Sequence, residues 1–122
     1  MNRNKNKGQY YEGLAREYLL EHGLVLLNAN YHCRFGEIDL IMLEQEVLCF
    51  IEVKFRNSLG FGGAASAIPT QKQRKIVKSA LFFLSSQRKF SQHAMRFDAF
   101  LIQRQSDAGH RLNWIRNAFY AE

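Results

Sequence analysis

The chain of 122 residues contains a single proline, only two cysteines and no long apolar run. No stretch approaches the roughly 18 apolar residues of a membrane-spanning helix, so we expect no membrane segment. Cys33 and Cys49 lack a zinc-type spacing and are expected to be small buried side chains in a reducing compartment. The four histidines are scattered, without partners at metal-ligand spacing.

Several familiar catalytic motifs are also missing. No Ser or Cys nucleophile lies in a recognisable elbow, and no Lys-Ser/Thr pair follows the glycines of 60–63, so neither serine-hydrolase nor P-loop chemistry is indicated. The N-terminal residues are polar and basic with no apolar stretch behind them. We therefore expect no secretory signal and a cytoplasmic protein.

Acidic residues are outnumbered, with 17 Lys and Arg against 11 Asp and Glu, which gives a net charge of +6. This balance is compatible either with a polyanion partner or with a basic, solvated surface. Apolar residues make up 47% and charged residues 23% of the chain, as in ordinary globular proteins. The length predicts one domain over residues 1–122, with residues 1–8 as a flexible basic arm.

The apolar periodicity predicts the order αβββαββ, a mixed α/β fold with helices packed on a mixed sheet. Thr70 is expected to N-cap the second helix, whose buried stripe would be Val77, Ala80, Leu81 and Leu84. A Gly-rich loop precedes that helix, and Asp107–Gly109 joins the last two strands. The predicted elements are a helix at Gln9–His22, strands at Leu24–Cys33 and within the hairpin Phe35–Arg56, a loop at Asn57–Pro69, a helix at Gln71–Gln87, and strands at Arg96–Gln103 and Leu112–Phe119.

The hairpin carries charged residues inside two apolar runs. With a turn at Gln45-Glu46, paired residue numbers sum to 91, so Asp39 would lie opposite Glu52, and Glu37 opposite Lys54. Strict alternation would put Glu37 and Asp39 on one face with Ile41 and Leu43. Opposed carboxylates repel unless a shared proton or a cation relieves them. An odd-length loop would shift this register by one residue.

Two interpretations of these charges remain open. One is a divalent-metal site, in which Asp39, Glu52 and the Val53 carbonyl bind Mg²⁺ or Mn²⁺ and Lys54 orients water or stabilises developing charge. The other is an ion-pair network joining Glu37 to Lys54 and Asp39 to Arg34. Glu12, on the first helix, is either a third carboxylate over the sheet or an exposed partner of Arg16.

Two further features have alternative interpretations. Basic residues surround Phe82 on the second helix, which is typical of a nucleic-acid surface, of a dimer contact or of a more widely buried helix. Asp98 is either another acidic ligand or a hydrogen-bonding group at the start of a strand. The basic residues in question are Lys72, Arg74, Lys75 and Lys78.

Five sequence blocks follow one another in an order that resembles the YraN-type family of small bacterial proteins. The resemblance covers nearly the whole chain, and the linked GEIDLI and EVK blocks are specific to that family. The blocks are Glu12 on the first helix, GEIDLI at Gly36–Ile41, FIEVKFR at Phe50–Arg56, FGGAASAIPTQKQRKI at Phe61–Ile76 and RFDAFLI at Arg96–Ile102.

That family is similar to the PD-(D/E)xK nuclease superfamily, which has the restriction-endonuclease-like fold of archaeal Holliday-junction resolvases. The resemblance implies that Asp39, Glu52 and Lys54 are the D, E and K positions, and that Glu12 is the acid of the first helix. Gln71 and Lys72 match a region that borders the site in such folds. Ile38 stands where the superfamily name has proline.

The resemblance implies a fold and a site but no settled substrate. The leading hypothesis is a Mg²⁺- or Mn²⁺-dependent endonuclease that acts on DNA rather than RNA, with branched or structured DNA in repair, recombination or uptake as the candidate substrates. Residues expected to contact nucleic acid are Arg56, Lys72, Arg74, Lys75 and Lys78. The alternatives are a non-catalytic nucleic-acid-binding module and a protein-interaction domain, and a homodimer is a further expectation.

Overall fold

Five strands and two helices make up the part of the chain that the computed structural model describes, residues 3–56, 68–105 and 109–121, with side chains from residue 7 onward. The predicted loop at 57–67 and most of the predicted Asp107–Gly109 joint lie outside it. A 3₁₀ turn, Arg88–Phe90, precedes β4. The elements are α1 Arg3–Glu21, β1 Val25–Cys33, β2 Gly36–Glu44, β3 Val47–Arg56, α2 Thr70–Ser86, β4 Ala94–Arg104 and β5 His110–Phe119.

The strands form one mixed sheet in the order β1-β2-β3-β4-β5. Only β3 and β4 are parallel within the described residues. A parallel pair needs a crossover connection, and α2 lies in the segment between these two strands. The predicted mixed α/β fold in the order αβββαββ is confirmed, and it is compatible with a restriction-endonuclease-like core. None of the described helices is long and apolar enough to cross a membrane.

A layer of apolar side chains lies on each face of the sheet. On one face, Ala15 and Leu19 of α1 pack against side chains such as Met42 and Phe100. On the other, Ile76, Ala80 and Phe83 of α2 pack against side chains that include Ile41, Leu48 and Phe50. The sheet is therefore the middle layer of three, with one helix on each side.

Three details of the helices differ from the predictions. The helix α1 begins at Arg3, so most of the predicted flexible arm is helical; the segment contains no proline and extends a helix already anchored by packing. Thr70 is the first helical residue, and the N-cap is Pro69, which has no side-chain cap. The buried face of α2 is Ile76, Ser79, Ala80 and Phe83, one residue away from the predicted stripe.

Leu81 shows the consequence of that shift, because its side chain is 52% exposed. Both stripes have helical spacing, and the apolar pattern of α2 alone does not separate them. Phe83 decides the choice through edge contacts with Tyr31 and Phe50 on the sheet.

The side chains of β1 and β2 change faces part-way along the strands. Ile38 packs in the layer beneath α2 but Leu40 packs in the layer beneath α1, although a regular strand would place both on one face. In β1, Ala29 and Tyr31 differ in the same way, and Asn30 between them has φ 55°. The prediction that Asp39 shares a face with Ile41 is wrong, because Asp39 instead lines a cleft beside α1.

Asp98 is a fully buried carboxylate that joins β4 to β5. Its two oxygens accept hydrogen bonds from Arg96 Nε at 2.8 Å, Trp114 Nε1 at 3.0 Å and the Asn117 amide at 3.1 Å. Arg96 also donates to Glu44 on β2 at 2.9 Å. Of its two possible roles, Asp98 therefore has the hydrogen-bonding one.

Asp98→Asn should lower the free energy of unfolding by about 3 kcal/mol, because it leaves Arg96 without its buried carboxylate partner. Urea denaturation measures this change. Glu46→Gln is the matched control, since the Glu46 side chain is 93% exposed, and it should alter stability by less than about 0.5 kcal/mol. Equal effects of the two substitutions would contradict this account of Asp98.

Candidate active site

The hairpin of β2 and β3 has the predicted register. Leu43 pairs with Leu48, Ile41 with Phe50 and Leu40 with Ile51, so the paired numbers sum to 91. The pairing ends at Leu40–Ile51, so the predicted cross-strand pairs Asp39–Glu52 and Glu37–Lys54 are not part of the ladder. Beyond it, the Asp39 carboxylate accepts a hydrogen bond of 2.8 Å from the Val53 amide. Where the backbone ladder stops, the Val53 amide of β3 thus donates to the Asp39 side chain instead of to a backbone carbonyl of β2.

Glu52 is the most enclosed acid of the site, with a side chain only 4% exposed. Lys72 of α2 forms an ion pair with its Oε2 atom, and Lys54 Nζ lies 3.8 Å from the same oxygen. Asp39 lies close enough to Glu52 to raise the pKa of the Glu52 carboxyl. The predicted closeness of the two carboxylates is therefore present, and two ammonium groups accompany it.

The ion-pair network proposed as the alternative is not formed among the described residues. Glu37 lies 3.3 Å from His32 instead of pairing with Lys54. The Arg34 guanidinium lies over the rings of Phe35 and Phe82, at 5.0 and 5.6 Å from their centres, instead of pairing with Asp39. Asp39 and Lys54 thus both lie close to Glu52 instead.

Both glutamates of the site bind a proton more tightly than a free side chain. Burial, followed by the charge of Asp39, raises the pKa of Glu52 to about 7, against the lowering effect of Lys72. Burial and Asp39 also raise the pKa of Glu12 to about 7, although a hydrogen bond with Asn30 and the charge of Arg16 oppose this. Burial is thus the larger cause of both raised pKa values, and the neighbouring Asp39 carboxylate adds to it.

The pKa values of the two lysines are shifted in opposite directions. Burial and the neighbouring Lys72 ammonium lower the pKa of Lys54, against the effect of Glu52. Burial also lowers the pKa of Lys72, but its hydrogen bond and ion pair with Glu52 outweigh this effect and raise it. Lys72 is therefore the firmly charged partner of Glu52, and Lys54 is the lysine that gives up its proton more readily.

A cleft of about 570 Å³ opens beside Asp39, between α1 and the sheet. Glu12 and Asn30 line it together with Asp39 and Val53. At the same cleft the Tyr11 and Phe55 rings are stacked at 4.0 Å, and Lys7 Nζ lies 4.9 Å from the centre of the Phe55 ring. Glu12 thus lies beside the sheet in the same cleft as Asp39, as predicted for a third carboxylate. The charge of Arg16 also lowers its pKa, as expected for a partner on the same helix.

The predicted nucleic-acid-binding residues do not form one patch. Lys72 and Lys75 line a cavity of about 660 Å³ next to the site. Arg74 and Lys78 line a separate groove of about 490 Å³ with Leu81 and Tyr120. Arg56, at the end of β3, is close enough to lower the pKa of Lys54.

The donor atoms of the site fit a hard divalent cation. Asp39 and Glu52 supply carboxylate oxygens; burial first, and then the charge of Asp39, raises the pKa of Glu52, and a cation would relieve the second of these causes. Within the described residues, no group of three or more His, Cys, Asp or Glu side chains is arranged to bind a metal. The candidate side-chain ligands among the described residues are therefore the two carboxylates of Asp39 and Glu52, without Glu12 as a third, and the Val53 carbonyl stays a predicted ligand.

Comparison with known sequences places these residues within one family. A model of the uncharacterised protein family UPF0102 matches residues 11–102, which include every acid and lysine of the site. The chain belongs to the family UPF0102. This agrees with the YraN-type resemblance.

Relatives in this family match nearly end to end. A UPF0102 protein of Nitrosospira multiformis is 47% identical over 113 residues, which are 93% of this chain and 92% of the relative. Another, from Stutzerimonas stutzeri, is 40% identical over 119 residues, 98% of each chain. A third, from Legionella pneumophila, is 42% identical over 117 residues, 96% of this chain and 97% of the relative.

Sequence reasoning missed two contacts of the site. The Lys72–Glu52 ion pair depends on where α2 lies on the sheet; Lys72 was expected to border the site and to contact nucleic acid, but not to pair with Glu52. Asn30, the hydrogen-bond partner of Glu12, was not expected at the site. A signal for Asn30 exists, because asparagine tolerates the positive φ that it adopts better than most residues do.

The raised pKa values predict that the protein loses stability as the pH rises. The pKa values of Glu12 and Glu52 are about 7 in the folded protein, whereas the ordinary pKa of a free glutamate is 4.5. Because the folded state binds more protons between these values, the free energy of unfolding should fall through that window. Glu12→Gln should reduce the fall by about 1 kcal/mol, since Glu12 is partly solvated.

Thermal unfolding at pH 5 and pH 8 measures this effect. Glu17→Gln, an exposed carboxylate on the same helix, is the control and should leave the pH dependence as it is. If Glu12→Gln showed the same pH dependence as the unsubstituted protein, the carboxyl of Glu12 would not be the group responsible.

Proposed function

We propose that this protein is a Mg²⁺- or Mn²⁺-dependent endonuclease that cleaves DNA. The observation that carries the proposal is the adjacent pair of carboxyl groups of Asp39 and Glu52, with the Lys54 ammonium 3.8 Å from Glu52. Paired acids with an adjacent lysine, at the point where two strands separate, are the groups that metal-assisted phosphodiester hydrolysis requires. The nuclease-superfamily resemblance assigns the same three residues.

Asp39, Glu52 and the carbonyl of Val53 would hold the divalent cation. When bound, the cation supplies charge for the scissile phosphate and makes a bound water more acidic. The hydrogen bond from the Val53 amide fixes one oxygen of Asp39 and leaves the other for a ligand. The buried position of Glu52 keeps its carboxyl group in a defined place beside Asp39.

Lys54 and Lys72 have different roles in this proposal. Lys54, with its lowered pKa, is the group suited to exchange a proton with the attacking water. Lys72 keeps its charge and neutralises Glu52 in the free protein. With Lys75 in the cavity next to the site, it places positive charge where a phosphodiester backbone would approach.

DNA is favoured as the substrate by the resemblance to the resolvase-like nucleases, and the same resemblance favours branched or structured DNA. The net charge of +6 favours a polyanion of either kind. Two clefts flank the carboxyl pair, one beside α1 and one beside α2.

Asp39→Asn, Glu52→Gln and Lys54→Ala should each reduce cleavage at least about 100-fold, because each removes a cation ligand or the proton-exchanging group. Cleavage of linear, nicked and four-way DNA with Mg²⁺ or Mn²⁺ measures this, and circular dichroism checks that the fold is intact. The matched controls Glu46→Gln and Lys89→Ala should cleave normally. Cleavage that persists in folded Asp39→Asn protein would refute the assignment.

A second candidate is a nucleic-acid-binding module without turnover. The ion pair of Lys72 with Glu52 favours it, because the ammonium group already neutralises the acid that a cation would bind. Binding would then persist in EDTA and weaken with salt as counterions are released. The first candidate requires the cation for cleavage, so activity with and without EDTA separates the two.

Both candidates predict the same role for Lys75. Lys75→Ala should reduce the slope of log affinity against log salt concentration by about 0.9, the value of one phosphate contact. Lys89→Ala is the control, since Lys89 lies over the Phe90 ring at 5.2 Å and lines neither cavity of the site. Fluorescence anisotropy with labelled DNA measures the slopes. An unchanged slope in Lys75→Ala would exclude a Lys75–phosphate contact.

A further inference from the structure

Cys33 lies at the end of β1, where the chain turns into β2. It pairs with Gly36 across the Arg34-Phe35 turn, and its side chain is only partly buried, in contrast to the predicted buried position. It lines the cavity of about 660 Å³ that also contains Lys72 and Lys75. The thiol is therefore reachable from solvent beside positively charged side chains.

Ser79 provides a second, independent observation at this position. Its side chain is fully buried on the face of α2 that packs against the turn, and its hydroxyl has no hydrogen-bond partner with ordinary geometry in the part of the chain that the structure describes. The Ser79 oxygen lies 3.6 Å from where a Cβ on Gly36 would be. A buried, unpaired hydroxyl is costly, so it indicates a partner that forms only in another state.

The ionised thiol of Cys33 is that partner. Burial raises the pKa of Cys33, but the Ser79 hydroxyl, the backbone at Phe35 and Gly36 and the charge of Arg34 outweigh it and lower the pKa. The Ser79 hydroxyl can donate to a thiolate far more strongly than to a thiol. Other charged or titratable groups around the cavity are Tyr31, His32, Glu37, Lys72 and Lys75.

We propose that Cys33 is a reactive thiolate that hydroperoxides oxidise to sulfenic acid in the cavity beside Lys72 and Lys75. The sulfur attacks one peroxide oxygen, so an S–O bond forms while the O–O bond breaks. The sulfur loses two electrons, and the departing hydroxide or alkoxide takes a proton and leaves as water or alcohol. This proposal does not depend on the nuclease assignment.

Cys49 provides an internal comparison within the same chain. It is fully buried, and burial raises its pKa to about 11. Its sulfur lies 3.1 Å from Arg96 Nη2 and 3.6 Å from the Val47 carbonyl oxygen. A buried thiol of this kind is inert towards peroxide and alkylating agents while the protein is folded.

Iodoacetamide labelling of the folded protein from pH 5 to pH 9 tests the ionisation of Cys33, with peptide mass spectrometry to measure each cysteine separately. Cys33 should label with a midpoint below the free-cysteine value of about 8.5, and Cys49 should stay unlabelled. Ser79→Ala should raise the midpoint and slow labelling of Cys33 at pH 7 about threefold or more. A Cys33 midpoint at or above the free value, or one unmoved by Ser79→Ala in folded protein, would overturn the proposal.

Hydrogen peroxide followed by a sulfenic-acid-selective dimedone probe tests the oxidation itself. The adduct should form on Cys33 and not on Cys49, and it should be absent in Cys33→Ser. Ser79→Gly also removes the hydroxyl without adding a reactive group, and it provides a second variant if Ser79→Ala does not fold. If peroxide produced no dimedone adduct on Cys33 in the folded protein, the assigned oxidation would be wrong.

Discussion

The hydrogen bond from the Val53 amide to the Asp39 carboxylate is the contact on which the candidate site depends. It forms where the β2–β3 ladder ends, so a side chain takes the place of a backbone acceptor. Because Asp39 is fixed to β3 in this way, its charge stays close to Glu52 on that strand. The separation of the strands thus creates both the cleft and the carboxyl pair, and the rest of the site adjusts to their combined charge.

The change of face at Asn30 and Asp39 explains how one carboxyl pair can border both sides of the sheet. Without it, Asp39 would lie under α2 with Ile41, and the cleft beside α1 would lack one of the acids that line it. With it, Glu12 of α1 interacts with Asp39 on one side, while Lys72 of α2 reaches Glu52 on the other. The positive φ of Asn30 is the local backbone feature that accompanies this reversal.

The hairpin register was predictable from sequence because it follows from counting residues across a two-residue turn, and the structure has that register. The face of Asp39 was not predictable, because alternation assumes a regular strand and Asn30 interrupts it. The face of α2 was wrong by one residue, since both stripes have helical spacing and only contacts such as Phe83 with Tyr31 decide between them. The Lys72–Glu52 pair depends on that same packing, and local sequence contains no information on it.

The raised pKa values of Glu12 and Glu52 show that the charged forms of both carboxyl groups are disfavoured in the free protein. Two glutamates with pKa values near 7 mean that, at neutral pH, the site is divided between protonated and charged forms. Lys72 relieves only Glu52, and the Val53 amide donates only one hydrogen bond to Asp39. A cation between the acids would relieve both carboxylates at once and would release Lys72 to face the neighbouring cavity. Negative charge that destabilises the free protein would therefore be the source of affinity for the cation, which is why a fold would retain such a costly group of acids.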